Sequence, residues 1–236
     1  LVINNRYDGI DLPDEACRVL ILDKLPKFTS LSDQYEEEAR ATNEIVNKKM
    51  AQKIEQGLGR AVRGEKDYCI VLIIGTDLVK FIKKPKTQKY FSNQTKKQIE
   101  IGLDISKETK KEQKDYSMND LYQLMRQSID RDEGWKYFYQ EKMNEIKDND
   151  TSLELYDRLQ KEKEIQDLYI DREYQKACEK LQFYIDNLNT DELDKSWYKQ
   201  LLAKFYYNID SQKSNKLQIA AFKENKQLLK PKDDII

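Results

Sequence analysis

Glycine and proline punctuate only the front of this chain. Gly9, Gly57, Gly59, Gly64, Gly75 and Gly102 precede residue 103 and only Gly134 follows, while Pro13, Pro26 and Pro85 lie forward and Pro231 alone sits near the end. These residues make the turns that short elements need, so their placement predicts α/β structure in front and long helices behind. The front reads as strand, loop, strand, helix, strand. Leu1 to Ile3 is a short apolar run, Cys17 to Leu22 is apolar except for Arg18, a helical stretch starts near Ser32, and Tyr68 to Ile74 is again apolar. Apolar runs of this length, separated by a helix, predict buried parallel strands in a βαβ arrangement.

From Met118 onward the period is helical, with segments expected over Met118 to Ile146, Ser152 to Leu188, Glu192 to Ile209 and Ser211 to Leu229. The spacing of Leu121, Leu124, Met125 and Ile129 fits 3.6 residues per turn. Thr190 or Asp191 is placed to cap the third of these. Between the two halves, residues 80–97 carry Lys80, Lys83, Lys84, Lys86, Lys89, Lys96 and Lys97 without an acid, with Phe81, Tyr90 and Phe91 interleaved. This composition shift sets the expected boundaries: 1–84 α/β, 85–117 a basic linker or short helix, and 118–236 an all-α extension, for which helical hairpins are one arrangement.

Several chemistries are excluded outright. The 236 residues contain no histidine, so Ser-His-Asp, Cys-His and H-E-x-x-H sites cannot be built from them. Cys17, Cys69 and Cys178 are far apart and form no C-x-x-C pair, which gives no cysteine zinc site and points to a reducing, cytoplasmic interior. The longest strongly apolar stretch, Cys69 to Ile74, is far shorter than the ~20 residues of a membrane span. Forty-two basic residues balance 43 acidic ones, which argues against tight nucleic-acid binding by the whole chain. Leu1 opens directly on an apolar run without an initiating Met, as expected of a piece of a longer protein.

Two stretches carry candidate chemistry. In Gln56-Gly57-Leu58-Gly59-Arg60-Ala61-Val62-Arg63, a helix would place Gln56, Arg60 and Arg63 within about 60° of one another, opposite Ile54, Leu58, Ala61 and Val62. Two guanidiniums beside a glutamine suit a polyanion, because each offers a fixed fork of donors to phosphate oxygens, and Gly59 leaves room for the ligand. The same stripe also suits an ordinary solvated helix face. Asn5-Arg6-Tyr7-Asp8-Gly9-Ile10-Asp11-Leu12-Pro13 follows the first apolar run, at the strand end where open α/β sheets bind ligands. It could equally be a polar connecting loop.

Taken with Arg18-Val19-Leu20-Ile21-Leu22-Asp23-Lys24-Leu25-Pro26, these stretches resemble motifs V and VI of superfamily 2 helicases, closest to the XPD/DinG branch, over about residues 1–83. The resemblance implies the back half of the second RecA-like, P-loop NTPase-type domain. It implies that Arg60 and Arg63 are arginine fingers to ATP with Mg2+, and that Gln56 positions the γ-phosphate or the attacking water. Gly9, Asp11 and Gly59 would then line the nucleotide side of the cleft. Arg6 with Lys83, Lys84, Lys86, Lys89 and Tyr90 would meet nucleic acid, single-stranded DNA being favoured. No glycine is followed by lysine and no D-E-x-H segment occurs, so the Walker A and B motifs are expected upstream on the first RecA-like domain, and the fragment alone is expected to be inactive. A helical adaptor that binds a partner protein through its C-terminal helices is the alternative.

Overall fold

The computed structural model describes residue 12 and residues 16–40, 43–59, 68–111, 118–147 and 153–231. Among them are two strands and eleven helices, so the described chain is mostly helical around a small parallel sheet. The expected first strand, Leu1 to Ile3, lies outside the described residues.

The strands are β1 (Val19–Leu22) and β2 (Ile70–Ile73), paired in parallel with Val19 opposite Ile70 and Leu22 opposite Ile73. Both are built from Val, Ile and Leu, whose branched side chains suit the pleat. Parallel neighbours need a crossover, and two helices supply it in sequence: α1 (Leu31–Ala39) and α2 (Glu44–Leu58). Burial of the strands is less complete than their composition predicts. Leu22 is buried, but Val19 and Ile21 are exposed and β2 is half-buried along its length. The reason lies in the alternation of a strand: Leu20 and Leu22 point to one side, Val19 and Ile21 to the other, and only the first side is covered among the described residues.

Two compact units divide the contacts. The first comprises residues 1–27 and 48–149, the second residues 28–47 and 150–236. In the first unit the sheet is followed by α3 (Thr76–Lys83), α4 (Pro85–Gln88), α5 (Asn93–Lys111), α6 (Met118–Ile129) and α7 (Glu133–Asn144). Gly75 makes the turn from β2 into α3 with φ +87°, and a β-carbon there would lie 1.7 Å from the carbonyl oxygen of Asp23. Only glycine fits both the backbone angle and the space. Met50, Ala51 and Ile54 of α2, Leu78 and Ile82 of α3, and Tyr90, Phe91 and Ile101 are buried. Residues 80–97 are therefore packed helix and turn: Phe81 and Phe91 meet edge to face at 6.0 Å, and Thr87 donates to the carbonyl of Phe81. The expected helix Met118 to Ile146 breaks into α6 and α7 at Arg131, which takes φ 56°, and Asp132, whose side chain caps α7 by accepting from the Trp135 N–H.

The second unit holds α1 with α8 (Leu153–Ile170), α9 (Tyr174–Asn187), α10 (Glu192–Tyr206) and α11 (Ser211–Glu224). Its core is Ile165, Ala177, Cys178, Leu181, Tyr198, Leu202 and Phe205, with Tyr169 stacked on Phe205 at 4.4 Å. Asp191 is the N-cap of α10, accepting from the Asp194 N–H at 2.9 Å, as its sequence position predicts. Ser152 to Leu188 is likewise two helices, parted at Arg172 with φ 63°.

Candidate functional site

Helix α2 carries the described part of the Gln56–Arg63 stretch. Its inward positions, Met50, Ala51 and Ile54, recur at helical spacing and are almost wholly buried, which turns Gln56 outward to solvent. The helix ends at Leu58, and the Gly59 N–H closes the last turn onto the carbonyl of Glu55 at 2.9 Å. A β-carbon on Gly59 would meet nothing nearer than that carbonyl at 3.5 Å, so packing does not demand glycine at this position. Of the predicted site residues, Arg6, Gly9, Asp11, Arg60 and Arg63 lie outside the described residues. Ile54 lies opposite Gln56 as the helical projection expects.

The lysine-rich stretch divides in two. Lys80, Lys83, Lys84, Lys86 and Lys89 are exposed along α3, α4 and the turn that follows. Lys97 is drawn into ion pairs with Glu100 at 3.0 Å and Glu145 at 2.8 Å, and the hydrogen bonds to those carboxylates raise its pKa. Tyr90 does not belong to an exposed surface. Tyr90 is 8% exposed and Phe91 2%, so the short helix α4 folds both rings into the core and away from the lysine surface where Tyr90 was expected to meet nucleic acid. Its carbonyl meanwhile accepts from the Lys48 ammonium at 2.7 Å.

Three groupings are invisible as motifs. Arg18 donates to the carbonyl of Tyr68 at 3.1 Å and lies 3.9 Å from that ring, while Arg131 of the α6–α7 turn lies 4.5 Å from the same ring. A lone arginine in an apolar run was the signal for the first of these contacts. Cys17 and Cys69 sit at the entries of β1 and β2, where the Cys69 thiol interacts directly with that of Cys17; burial first, then the neighbouring thiol, pushes Cys69 up to about 12.

The third grouping lies within the second unit. Arg40, 2% exposed, donates through Nε to Asp194 at 2.8 Å, through Nη2 to the Tyr198 hydroxyl at 2.7 Å and through Nη1 to Glu36 at 3.2 Å. Asp194 also accepts from Asn43 at 2.6 Å and from Arg158, and the Tyr198 hydroxyl donates to Glu162. Burial disfavours the charge on Arg40, but Tyr198, Asp194 and Glu162 outweigh it and its pKa lies above the ordinary value. Sequence offers no sign of this cluster, since Arg40 follows a run of exposed-looking glutamates. Among the described residues no group of His, Cys, Asp and Glu is arranged to hold a metal ion, and no helix is long and apolar enough to cross a membrane.

Residues 2–98 match the family model described as helicase C-terminal domain. No curated protein and no solved structure matches the chain.

Proposed function

We propose, from a front segment that matches the helicase C-terminal domain family, that this chain is the C-terminal part of an ATP-dependent nucleic-acid helicase or translocase of the XPD/DinG-like type. The observation that carries the reading is the family match itself, which spans the whole Gln56–Arg63 stretch. The geometry of α2 supports it. One face of the helix is sealed by Ile54 and Ala51, the other presents Gln56, and Gly59 has no side chain although packing would admit one. A glycine that the fold does not require is accounted for by a ligand that comes close to the backbone.

In this reading Arg60 and Arg63 reach phosphate oxygens of Mg2+-bound ATP held by a phosphate-binding half outside this sequence. Charge builds on the transferring phosphoryl oxygens, and a guanidinium placed there neutralises it, contributing ~10³–10⁵ in rate. Gln56 orients the γ-phosphate or attacking water, and Gly9 with Asp11 couples nucleotide state to the strand. The five exposed lysines of α3, α4 and the following turn run beside single-stranded DNA, each neutralised phosphate releasing a counterion. Exposed Tyr156, Ile170, Phe183 and Tyr207 support an added role in protein binding for the helical part.

Arg63→Ala, placed in the protein that carries the Walker motifs, tests the assignment. Nucleic-acid-stimulated ATP hydrolysis should fall by about 10³ or more while ATP binding and the fold persist. Unchanged turnover rejects the finger.

A further inference from the structure

Parallel pairing brings Cys17 and Cys69 together although 51 residues separate them. The Ile70 N–H donates to the carbonyl of Arg18 at 2.9 Å, and Val19 lies opposite Ile70, so Cys69 sits opposite Arg18 and diagonal to Cys17. The chain bends at Arg18, just ahead of β1, so Cys17 escapes the strand alternation that would turn it to the face opposite Cys69, and its thiol lies within hydrogen-bond reach of the Cys69 thiol. Each thiol also bonds locally: Cys17 donates to the carbonyl of Val19 at 3.5 Å and Cys69 to that of Ile70 at 3.3 Å. Neither is sealed in the core, whereas Cys178 is 0% exposed.

We propose that Cys17 and Cys69 are a reversible disulfide site, closed by a small-molecule disulfide of the oxidised-glutathione type and reopened by thiols. Cys17 reacts first, because Cys69 holds its proton near neutral pH. The Cys17 thiolate attacks one sulfur of the oxidant, a mixed disulfide forms, and the first small thiol leaves with a proton from solvent. Cys69 then loses its proton, its sulfur attacks the Cys17 sulfur, and the second small thiol leaves. Two protein thiols are oxidised and one small disulfide is reduced to two thiols. The bond ties the entries of β1 and β2, six residues after Asp11 and six after Arg63, the two stretches to which the helicase reading assigns nucleotide contacts.

The test incubates the full 236-residue chain, fully reduced, with oxidised glutathione, then quenches, alkylates in denaturant and maps the peptides. Alkylatable thiols should fall from three to one, with a peptide joining Cys17 to Cys69 and with reversal by dithiothreitol. The Cys178→Ser variant should close the same bond. Cys69→Ser should stop at a glutathione adduct on Cys17. Closure in the folded chain should run at least ~10-fold faster than in urea, since the sheet holds the two sulfurs together. It should also quicken with pH as Cys69 deprotonates. Glutathione adducts with no Cys17–Cys69 peptide, a bond to Cys178, or equal rates folded and in urea would each overturn the proposal.

Discussion

Arg40→Met removes the charge at the centre of the second unit while keeping much of the side-chain length. Three donated hydrogen bonds disappear, to Asp194, Tyr198 and Glu36, together with an ion pair to Glu162 at 3.5 Å. Before the change, Arg40 and Arg158 face Glu36, Glu162 and Asp194, so the cluster already carries one surplus negative charge; afterwards it carries two. Asp194 is 1% exposed and cannot recover the loss from water. Breaking a buried ion pair from one side costs about 3–5 kcal/mol, against ~0–1 kcal/mol for an exposed pair. Arg158 and Asn43 still bond Asp194, which places the expected cost near the lower figure, ~3 kcal/mol. Urea unfolding read by Trp197 fluorescence follows this unit alone once Trp135 is replaced by Phe, because the chain has two tryptophans and Trp197 lies 5.3 Å from the Arg40 guanidinium. With a slope of ~2 kcal/mol per molar urea, the midpoint should drop by about 1.5 M. Asp194→Leu alone should cost a similar amount, and the double variant clearly less than the sum, by ~1–3 kcal/mol. A shift under ~0.5 M, or strict additivity, would falsify the assignment of this cluster as a desolvated network.

Two backbone positions give further tests. Gly75→Ala forces a β-carbon to within 1.7 Å of the Asp23 carbonyl at a φ of +87°, so thermal melts should show a loss of about 3 kcal/mol, and a neutral change would contradict the close approach. Arg172→Gly relieves a left-handed residue in the exposed turn between α8 and α9 and should stabilise by ~0.5–1 kcal/mol, about 1–4 °C in melting temperature. A loss of stability there would mean that the Arg172 side chain contributes packing.

The elements legible in the sequence were those whose signals are local. The runs Val19-Leu20-Ile21-Leu22 and Ile70-Val71-Leu72-Ile73 read as strands because nothing else packs so many branched residues in four positions, and Asp191 read as a cap because its side chain acts within three residues. What stayed hidden depends on residues without a local mark. Arg131 and Arg172 end helices by adopting left-handed φ, a role that glycine advertises and arginine does not. Each is followed by the matching bond, Asp132 N–H to Gln127 and Glu173 N–H to Leu168, so the two helix pairs read as single long segments. Burial of Tyr90 and Phe91 was masked by flanking lysines, whose charge says nothing of where the neighbouring rings point. In the candidate site, Gln56 and Gly59 were legible as a pattern, while Arg40 and the Cys17–Cys69 pair needed the long-range pairing that only the fold supplies.

The Arg40 cluster also bears on how the chain can be divided. Residues 28–47 stand between β1 and most of α2 in sequence, within the helicase-domain match, yet they belong to the same compact unit as α8 to α11. Their attachment is of three kinds: Ala39 is buried with Ala221 and Leu228, Asn225 donates to the Ala39 carbonyl at 2.8 Å, and Tyr35 donates to Gln200 at 2.9 Å. A piece cut to residues 100–236 would keep Asp194, Glu162 and Arg158 but lose Arg40, Asn43 and the apolar cover of α1. It would expose Ala221 and leave the Asp194 carboxylate short of two of its donors. Partner binding by the helical part is therefore best sought with residues 28–47 present. A negative result from the shorter piece would report the loss of this buried network as readily as the absence of a partner.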